Sequence, residues 1–237
     1  MTRLLGTLLT AIAIVGATAP TATAGPAGPT DQADTAGRFS VLTYNVAGLP
    51  EPLSGSNPAE NTPLIGERVR AYDVVNVQED FNYHAALYAA DNHPHRTPTS
   101  GGVPFGDGLN TLSAYPYTDF TRVKWNQCNG TDCLTPKGFS FSRLRLAEGV
   151  YVDLYNVHAN AGSTDADLVA RRANITQLSQ YVTRNSAGNA VIIMGDTNTR
   201  YTRAGDNIRD LVRGNGLTDA WVELVRAGDE PAAGAPA

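Results

Sequence analysis

Short apolar runs that end on polar residues recur along the chain. Residues 190–194 form an unbroken apolar run that stops on Gly195-Asp196-Thr197-Asn198. A run of this length, rich in Val and Ile and closed by Gly, predicts a strand buried on both faces. Residues 39–45, 73–79 and 150–158 repeat the layout. If the four strand ends lie together, one cluster contains Asn45, Glu79, His158, Asp196 and Asn198.

The remaining pattern predicts helices between the strands. Residues 164–184 carry Leu168, Ile175, Leu178 and Val182 on one helical stripe, with Arg171 placed away from it. Thr164 and Asp167 form a capping box at its start. We also predict helices over 64–72 and 82–90, a loop over 93–108, and strands over 109–113, 120–125 and 139–146. The last of these turns back at Glu148-Gly149 as a hairpin, so the fold class is an α/β (α+β) sandwich rather than a purely parallel sheet.

The start of the chain has the pattern of a secretory signal. Arg3 precedes an uncharged stretch over 4–19, and Ala22-Thr23-Ala24 offers a small-residue cleavage site. We therefore predict a signal peptide over 1–24, a disordered leader over 25–37 and an exported protein. A membrane anchor is the alternative, but the strongly apolar part, 4–15, is shorter than the roughly 20 residues that span a bilayer.

Composition and charge narrow the function. With 237 residues and 42% hydrophobic content, the chain can bury the core of one domain, and we expect a monomer. A net charge of −5 weighs mildly against a nucleic-acid substrate. Cys128 and Cys133 are the only cysteines, and in an exported chain they predict a local disulfide. Half of a zinc site is the alternative, but it lacks further ligands.

The polar residues at the strand ends suit metal-assisted phosphoester chemistry. The carboxylates of Glu79 and Asp196, with the amides of Asn45 and Asn198, match the oxygen ligands preferred by Mg²⁺ or Mn²⁺. His158 would donate a hydrogen bond to a phosphate oxygen. Each residue alone fits an ordinary turn or half-buried site, and only their shared placement favours a functional site.

Five segments together resemble the endonuclease/exonuclease/phosphatase (DNase I-like) superfamily. They are residues 42–45 (LTYN), 77–79 (VQE), 108–113 (GLNTLS), 156–158 (NVH) and 195–198 (GDTN). The resemblance implies a four-layered sandwich of two mixed β-sheets flanked by helices. It also implies that Glu79 binds the divalent metal with help from Asn45, that His158 contacts the scissile phosphate, and that Asp196 and Asn198 orient phosphate and water.

The segment from Cys128 to Phe139 resembles that of neutral sphingomyelinases. By this resemblance Asp132 and Lys137 belong to a switch that brings the lysine to the substrate phosphate. The implied substrate is a phospholipid headgroup, reached by peripheral membrane contact without a transmembrane segment. Two alternatives stay open. One is a DNase-like endonuclease, for which the candidate contacts are Arg143, Arg145, Arg171 and Arg172, and the other is a non-catalytic phosphate- or lipid-binding remnant.

The chain departs from the family pattern after Asn198. The superfamily ends its catalytic set with an Asp-His pair whose histidine is the general base, and no histidine follows His158 here. We expect the domain, residues 38–225, to lack its last strands, and residues 226–237 to form a flexible tail. A truncated and catalytically impaired family member is the resulting hypothesis.

Overall fold

The computed structural model describes residues 36–101 and 105–236. The predicted signal peptide and nearly all of the predicted leader lie outside these residues, so those two expectations stay predictions. Across the described residues, no helix combines the length and apolar character needed to cross a bilayer.

Two four-stranded sheets form the centre of the molecule. The first has the order β1-β2-β4-β3, with β1 and β2 parallel and the other pairs antiparallel. Its strands are β1 (Val41–Asn45), β2 (Val74–Gln78), β3 (His95–Arg96) and β4 (Asn110–Ser113). The segment predicted as a loop over 93–108 therefore contributes one short edge strand, β3.

The second sheet has the order β5-β6-β7-β8. Its strands are β5 (Tyr117–Lys124), β6 (Gly138–Ala147), β7 (Val150–His158) and β8 (Val191–Asp196). The predicted hairpin is confirmed, because β6 and β7 pair antiparallel across the Glu148-Gly149 turn, whereas β7 and β8 pair in parallel. Both sheets are thus mixed, as the sequence predicts.

Five helices flank the sheets in the described residues. They are α1 (Pro58–Val69), α2 (His84–Ala90), α3 (Asp165–Asn185), α4 (Ile208–Gly214) and α5 (Ala220–Val225). Thr164 caps α3 through the predicted capping box with Asp167. Helix α1 begins before the predicted 64–72 because Pro58 occupies its first turn, where a missing N–H costs nothing. The short helices α4 and α5 were not predicted.

The layers pack as helix, sheet, sheet and helix. Helix α3 covers the second sheet through an apolar cluster that includes Phe139, Tyr155, Ile175 and Leu178. Helices α1 and α2 cover the first sheet through a cluster that includes Ile65, Val75, Val77 and Leu87. A smaller cluster of Val74, Leu144 and Leu154 lies between the sheets. The four-layered sandwich is therefore confirmed.

Buried amides complete the contact between the two sheets. The Nδ2 of Asn156 on β7 donates to the carbonyls of Val77 and Asn110, each at 3.0 Å. Its Oδ1 accepts from Gln78 Nε2 at 2.7 Å. Asn76 Nδ2 on β2 donates in the other direction, to the Tyr155 carbonyl at 3.0 Å. This network fixes β2 against β7, the two strands that lead to Glu79 and His158.

Three details differ from the sequence predictions. Strand β8 is half-buried along its length and β1 is largely exposed, because both are edge strands of their sheets rather than strands covered on both faces. Arg171, predicted to lie away from the buried face of α3, is fully buried.

The segment predicted to be a flexible tail makes specific contacts. Glu230 accepts hydrogen bonds from Tyr201 Oη at 2.8 Å and from Arg213 Nη2 at 2.8 Å. Arg209 also pairs with Glu230, at 3.2 Å. Pro231 is buried. These contacts hold the segment against α4 and against Tyr201 in the loop that precedes it.

Candidate active site

The structure brings the polar strand ends together. Asn45 ends β1, Glu79 follows β2, His158 ends β7 and Asp196 ends β8. Asn45 Nδ2 donates to Glu79 Oε1 at 3.0 Å and to Asp196 Oδ2 at 3.0 Å. His158 Nε2 lies 3.9 Å from Glu79 Oε1 and 3.8 Å from Asp196 Oδ2. The Asn45 amide thus binds both carboxylates, and the His158 imidazole lies within 3.9 Å of both.

Parallel pairing explains this convergence. In each sheet the two strands that carry the site run in parallel, so their carboxyl ends lie at the same edge. The register places Asn45 opposite Gln78 in the first sheet and His158 opposite Asp196 in the second. Ligands bind at this edge in open α/β sheets.

Local backbone geometry orients two of the side chains. Glu79 has φ 58° and Asn198 has φ 51°, a region that residues other than glycine rarely adopt. Asn198 N–H donates to Asp196 Oδ1 at 3.0 Å, and its Nδ2 donates to the Ala159 carbonyl at 3.1 Å. Asn198 therefore ties the end of β8 to the end of β7. Strained backbone of this kind occurs most often at functional sites.

A glycine allows the chain after β1 to approach Glu79 closely. Gly48 N–H donates to the Glu79 carbonyl at 2.9 Å. A Cβ at position 48 would lie only 2.5 Å from the same oxygen, so no larger residue fits without moving the backbone.

His158 is neutral at physiological pH. Its side chain is 1% exposed. Burial lowers its pKa, and the positive charge of Lys137 lowers it further, to about 4, against the opposing effects of Asp196 and Asp132. Trp125 Nε1 donates to the His158 carbonyl at 2.7 Å and holds the strand end in place. Neutral imidazole keeps one N–H available as a hydrogen-bond donor.

Lys137 and Asp132 form an ion pair beside the histidine. Lys137 Nζ lies 2.8 Å from Asp132 Oδ1, and both side chains are largely buried. The other Asp132 oxygen accepts from the backbone N–H of Ala161. Asp132 lies in a 3₁₀ turn (Gly130–Leu134), and the predicted Cys128–Cys133 disulfide encloses this turn. Lys137 is therefore held in an ion pair by a carboxylate that is itself fixed by a backbone N–H.

The donor set fits a hard divalent cation. Glu79 Oε1 and Asp196 Oδ2 accept from the same amide nitrogen, so the two carboxylates face a common space. Mg²⁺ is bound through one or two carboxylates and completes its coordination with waters and substrate oxygens. The described residues hold no group of three or more His, Cys, Asp or Glu side chains arranged for a metal.

Two contributors to this region were missed by the sequence reasoning. Trp125 was assigned only to a strand, although its indole N–H fixes the His158 carbonyl. Arg171 was a candidate nucleic-acid contact, but the burial of its side chain rules out that role. Arg172 donates to the Gly205 carbonyl at 3.0 Å. An arginine at a polar position of an amphipathic helix gives no sequence signal that it is buried.

Comparison with known proteins finds relatives of similar sequence. The model of endonuclease/exonuclease/phosphatase family 2 matches residues 61–232. A sphingomyelinase of Mycobacterium bovis is 44% identical over 198 residues, which cover 80% of this chain and 40% of that protein. The same figures hold for a sphingomyelinase of Mycobacterium tuberculosis. The chain thus spans about two fifths of the length of these relatives.

Solved structures share the fold. A mutant of beta toxin from Staphylococcus aureus with bound magnesium ions has a TM-score of 0.67 at 20% identity and covers 76% of this chain and 71% of that chain. Sphingomyelinase C from Streptomyces griseocarneus has a TM-score of 0.64 at 24% identity, covering 77% and 71%. At these identities the structures support the architecture only.

Proposed function

Because the chain belongs to the endonuclease/exonuclease/phosphatase superfamily, we propose that it is a metal-dependent phosphoric diester hydrolase with sphingomyelin or a related choline phospholipid as its substrate. The observation that carries the proposal is the Lys137–Asp132 ion pair beside His158, at the edge where the carboxylates of Glu79 and Asp196 meet. The 44% identity to mycobacterial sphingomyelinases supports the choice of substrate.

Glu79 and Asn45 would hold Mg²⁺ or Mn²⁺ in this function. A bound divalent cation polarises a phosphoryl oxygen and offsets the charge on the leaving group. Asn45 directs its Nδ2 at the two carboxylates, and its Oδ1 accepts from the Ala47 N–H at 3.0 Å. To offer an oxygen to a cation, the amide would turn over and release that N–H.

The other side chains would bind and orient the phosphodiester. Neutral His158 donates a hydrogen bond to a non-bridging phosphate oxygen and adds no competing positive charge at the metal site. Lys137 leaves Asp132 for the substrate phosphate as a point charge. Asp196 and Asn198, joined by a hydrogen bond at 3.0 Å, orient the phosphate and the attacking water.

We further propose that the protein is exported, because the Cys128–Cys133 disulfide fits an oxidising compartment.

Hydrolysis assays on matched variants test the proposal. Sphingomyelin, lysophospholipid and plasmid DNA are compared with Mg²⁺ and with chelator, and we expect Mg²⁺-dependent release of phosphocholine. Lys137→Ala should reduce this rate at least tenfold. Lys124→Ala is the control, because Lys124 is exposed on the neighbouring strand β5. Equal rates for the two variants would remove the basis of the substrate assignment, and cleavage of DNA alone would replace it with a nuclease.

A further inference from the structure

Arg171 on α3 clamps the loop that follows β7. Its Nη1 donates to the carbonyls of Asn160 and Gly162, each at 2.9 Å. Between them lies Ala161, whose N–H donates to Asp132. Asp132 in turn lies 2.8 Å from Lys137. Arg171 therefore fixes the loop backbone whose N–H binds Asp132, the ion-pair partner of Lys137.

Asp206 extends the clamp to the loop that follows β8. Arg171 Nε lies 3.1 Å from Asp206 Oδ1, and the two side chains are 0% and 1% exposed. The second Asp206 oxygen accepts from the Arg200 N–H at 2.8 Å and lies 3.2 Å from Arg203 Nη1. Arg203 in turn lies 3.4 Å from the Asn198 carbonyl. One buried pair thus contacts both loops of the candidate site in the second sheet.

We propose that Arg171 and Asp206 are positioning residues that set the distance between the Lys137–Asp132 pair and the Asp196–Asn198 turn. This proposal rests on the proposed function, because the two groups that the pair positions are parts of the proposed catalytic site. Neither residue touches the substrate, because both side chains are buried below the two loops.

A purely stabilising role does not explain this pair. Replacing a buried ion pair with apolar residues of similar volume is often neutral or stabilising, since desolvation offsets the Coulombic attraction. Here the arginine directs Nη1 at loop carbonyls as well as Nε at the carboxylate, a fork that no apolar side chain and no lysine reproduces. The specific contribution of the pair is therefore loop geometry.

The test compares two double variants of the full chain. The first combines Arg171→Met with Asp206→Leu and is called the brace variant; it removes the Arg171–Asp206 pair, the brace between the two loops, without leaving a buried charge. Arg143→Met with Asp153→Leu is the control, because that pair joins β6 to β7 at 2.7 Å near the opposite end of β8; Asp153 is as buried as Asp206, and Arg143 is 30% exposed. Arg171→Lys is the conservative variant, and its effect on the two loops should be smaller than that of the double variant but larger than zero.

Amide hydrogen exchange is measured first, because it needs no catalysis. For the brace variant we expect at least tenfold faster exchange over residues 159–163 and 198–206, with exchange over 138–147 unchanged. The control variant should leave both loops as they are. Unchanged exchange in the two loops of the brace variant overturns the proposal, whatever the chain hydrolyses.

Sphingomyelin hydrolysis then separates positioning from folding. The brace variant should lose at least tenfold in kcat/KM, and adding Lys137→Ala should change it less than twofold further, because the lysine is already misplaced. Fully multiplicative losses contradict the proposal. If the unmodified protein hydrolyses nothing but the two loops of the brace variant exchange faster, the positioning role of Arg171 and Asp206 is supported and the proposed function is refuted.

Discussion

The Asn156→Leu substitution tests whether the amide network between the sheets holds the site strands together. Asn156 makes three hydrogen bonds across the interface, to Val77, Asn110 and Gln78. Leucine has a similar volume, so the main cost is the loss of partners. Gln78 Nε2 keeps a bond to Thr43 Oγ1 at 3.1 Å, but the two carbonyls lose their side-chain donor.

The magnitude follows from those two carbonyls. An orphaned buried group costs about 1–3 kcal/mol, so the loss of a donor by two carbonyls should lower the free energy of unfolding by about 2–6 kcal/mol. At about 2–4 °C per kcal/mol for a domain of this size, Tm should fall by about 4–24 °C. Urea unfolding followed by tryptophan fluorescence measures the change, and an unchanged m-value shows that the two states are comparable.

The control is Asn185→Leu, which removes one exposed bond to the Tyr181 carbonyl at the end of α3. Its effect should stay within about 0.5 kcal/mol. If Asn156→Leu costs less than about 1 kcal/mol, the sheets are held by their apolar contacts and the reasoning is refuted.

Three further outcomes follow from other contacts. The pKa of His158 is about 4 in the folded protein against an ordinary value of 6.5, so the unfolded chain binds the proton at higher pH than the folded chain does. The free energy of unfolding should therefore fall as the pH drops from about 6.5 to about 4. His158→Gln should flatten this slope in acid unfolding curves. Burial is the largest single effect on the pKa of His93 and lowers it, but the hydrogen bonds to Asp91 and to the Tyr72 carbonyl, with the charge of Asp91, together outweigh burial and raise the pKa. The stability that protonated His93 contributes is therefore present at low pH and is lost as the pH rises through the raised pKa, and His93→Gln should remove that loss in the same titration. Cys128→Ser with Cys133→Ser should cost about 2 kcal/mol in urea unfolding, and a protein that unfolds identically with and without reductant would contradict this.

The sequence predicts the site strands well, because each apolar run marks a strand and the polar residues that follow the run mark the end of that strand. Strand β7 matches its predicted range, and the ends of β1, β2 and β8 fall within two residues of theirs. Parallel pairing could not be read from one strand at a time. The five-segment resemblance implied two mixed sheets, whereas the meeting of the four strand ends was a separate expectation that rested on their shared layout.

Apart from the unpredicted short elements β3, α4 and α5, the differences concern the environment of a residue or strand. The apolar run of β8 predicts burial on both faces, but an edge strand of the same composition remains half-exposed. Arg171 occupies a polar position of α3, and only the loops that fold over it make that position part of the interior. Residues 226–236 lack bulky apolar side chains and their flexibility stays a prediction, but the pairing of Glu230 with Arg209 and Arg213 of α4 could not be read from the sequence. Such pairings depend on tertiary contacts that local patterns do not encode.

The hydrogen bond between Asn45 and Asp196 joins residues 151 positions apart. Contacts of such long sequence separation form late in folding, because the chain entropy of closing a long loop must be lost before they stabilise anything. The helices and the β6–β7 hairpin can form from near neighbours, whereas the meeting of β1 with β8 requires nearly the whole domain. During refolding, competence to bind a cation should therefore appear in the slowest kinetic phase, after secondary structure is complete.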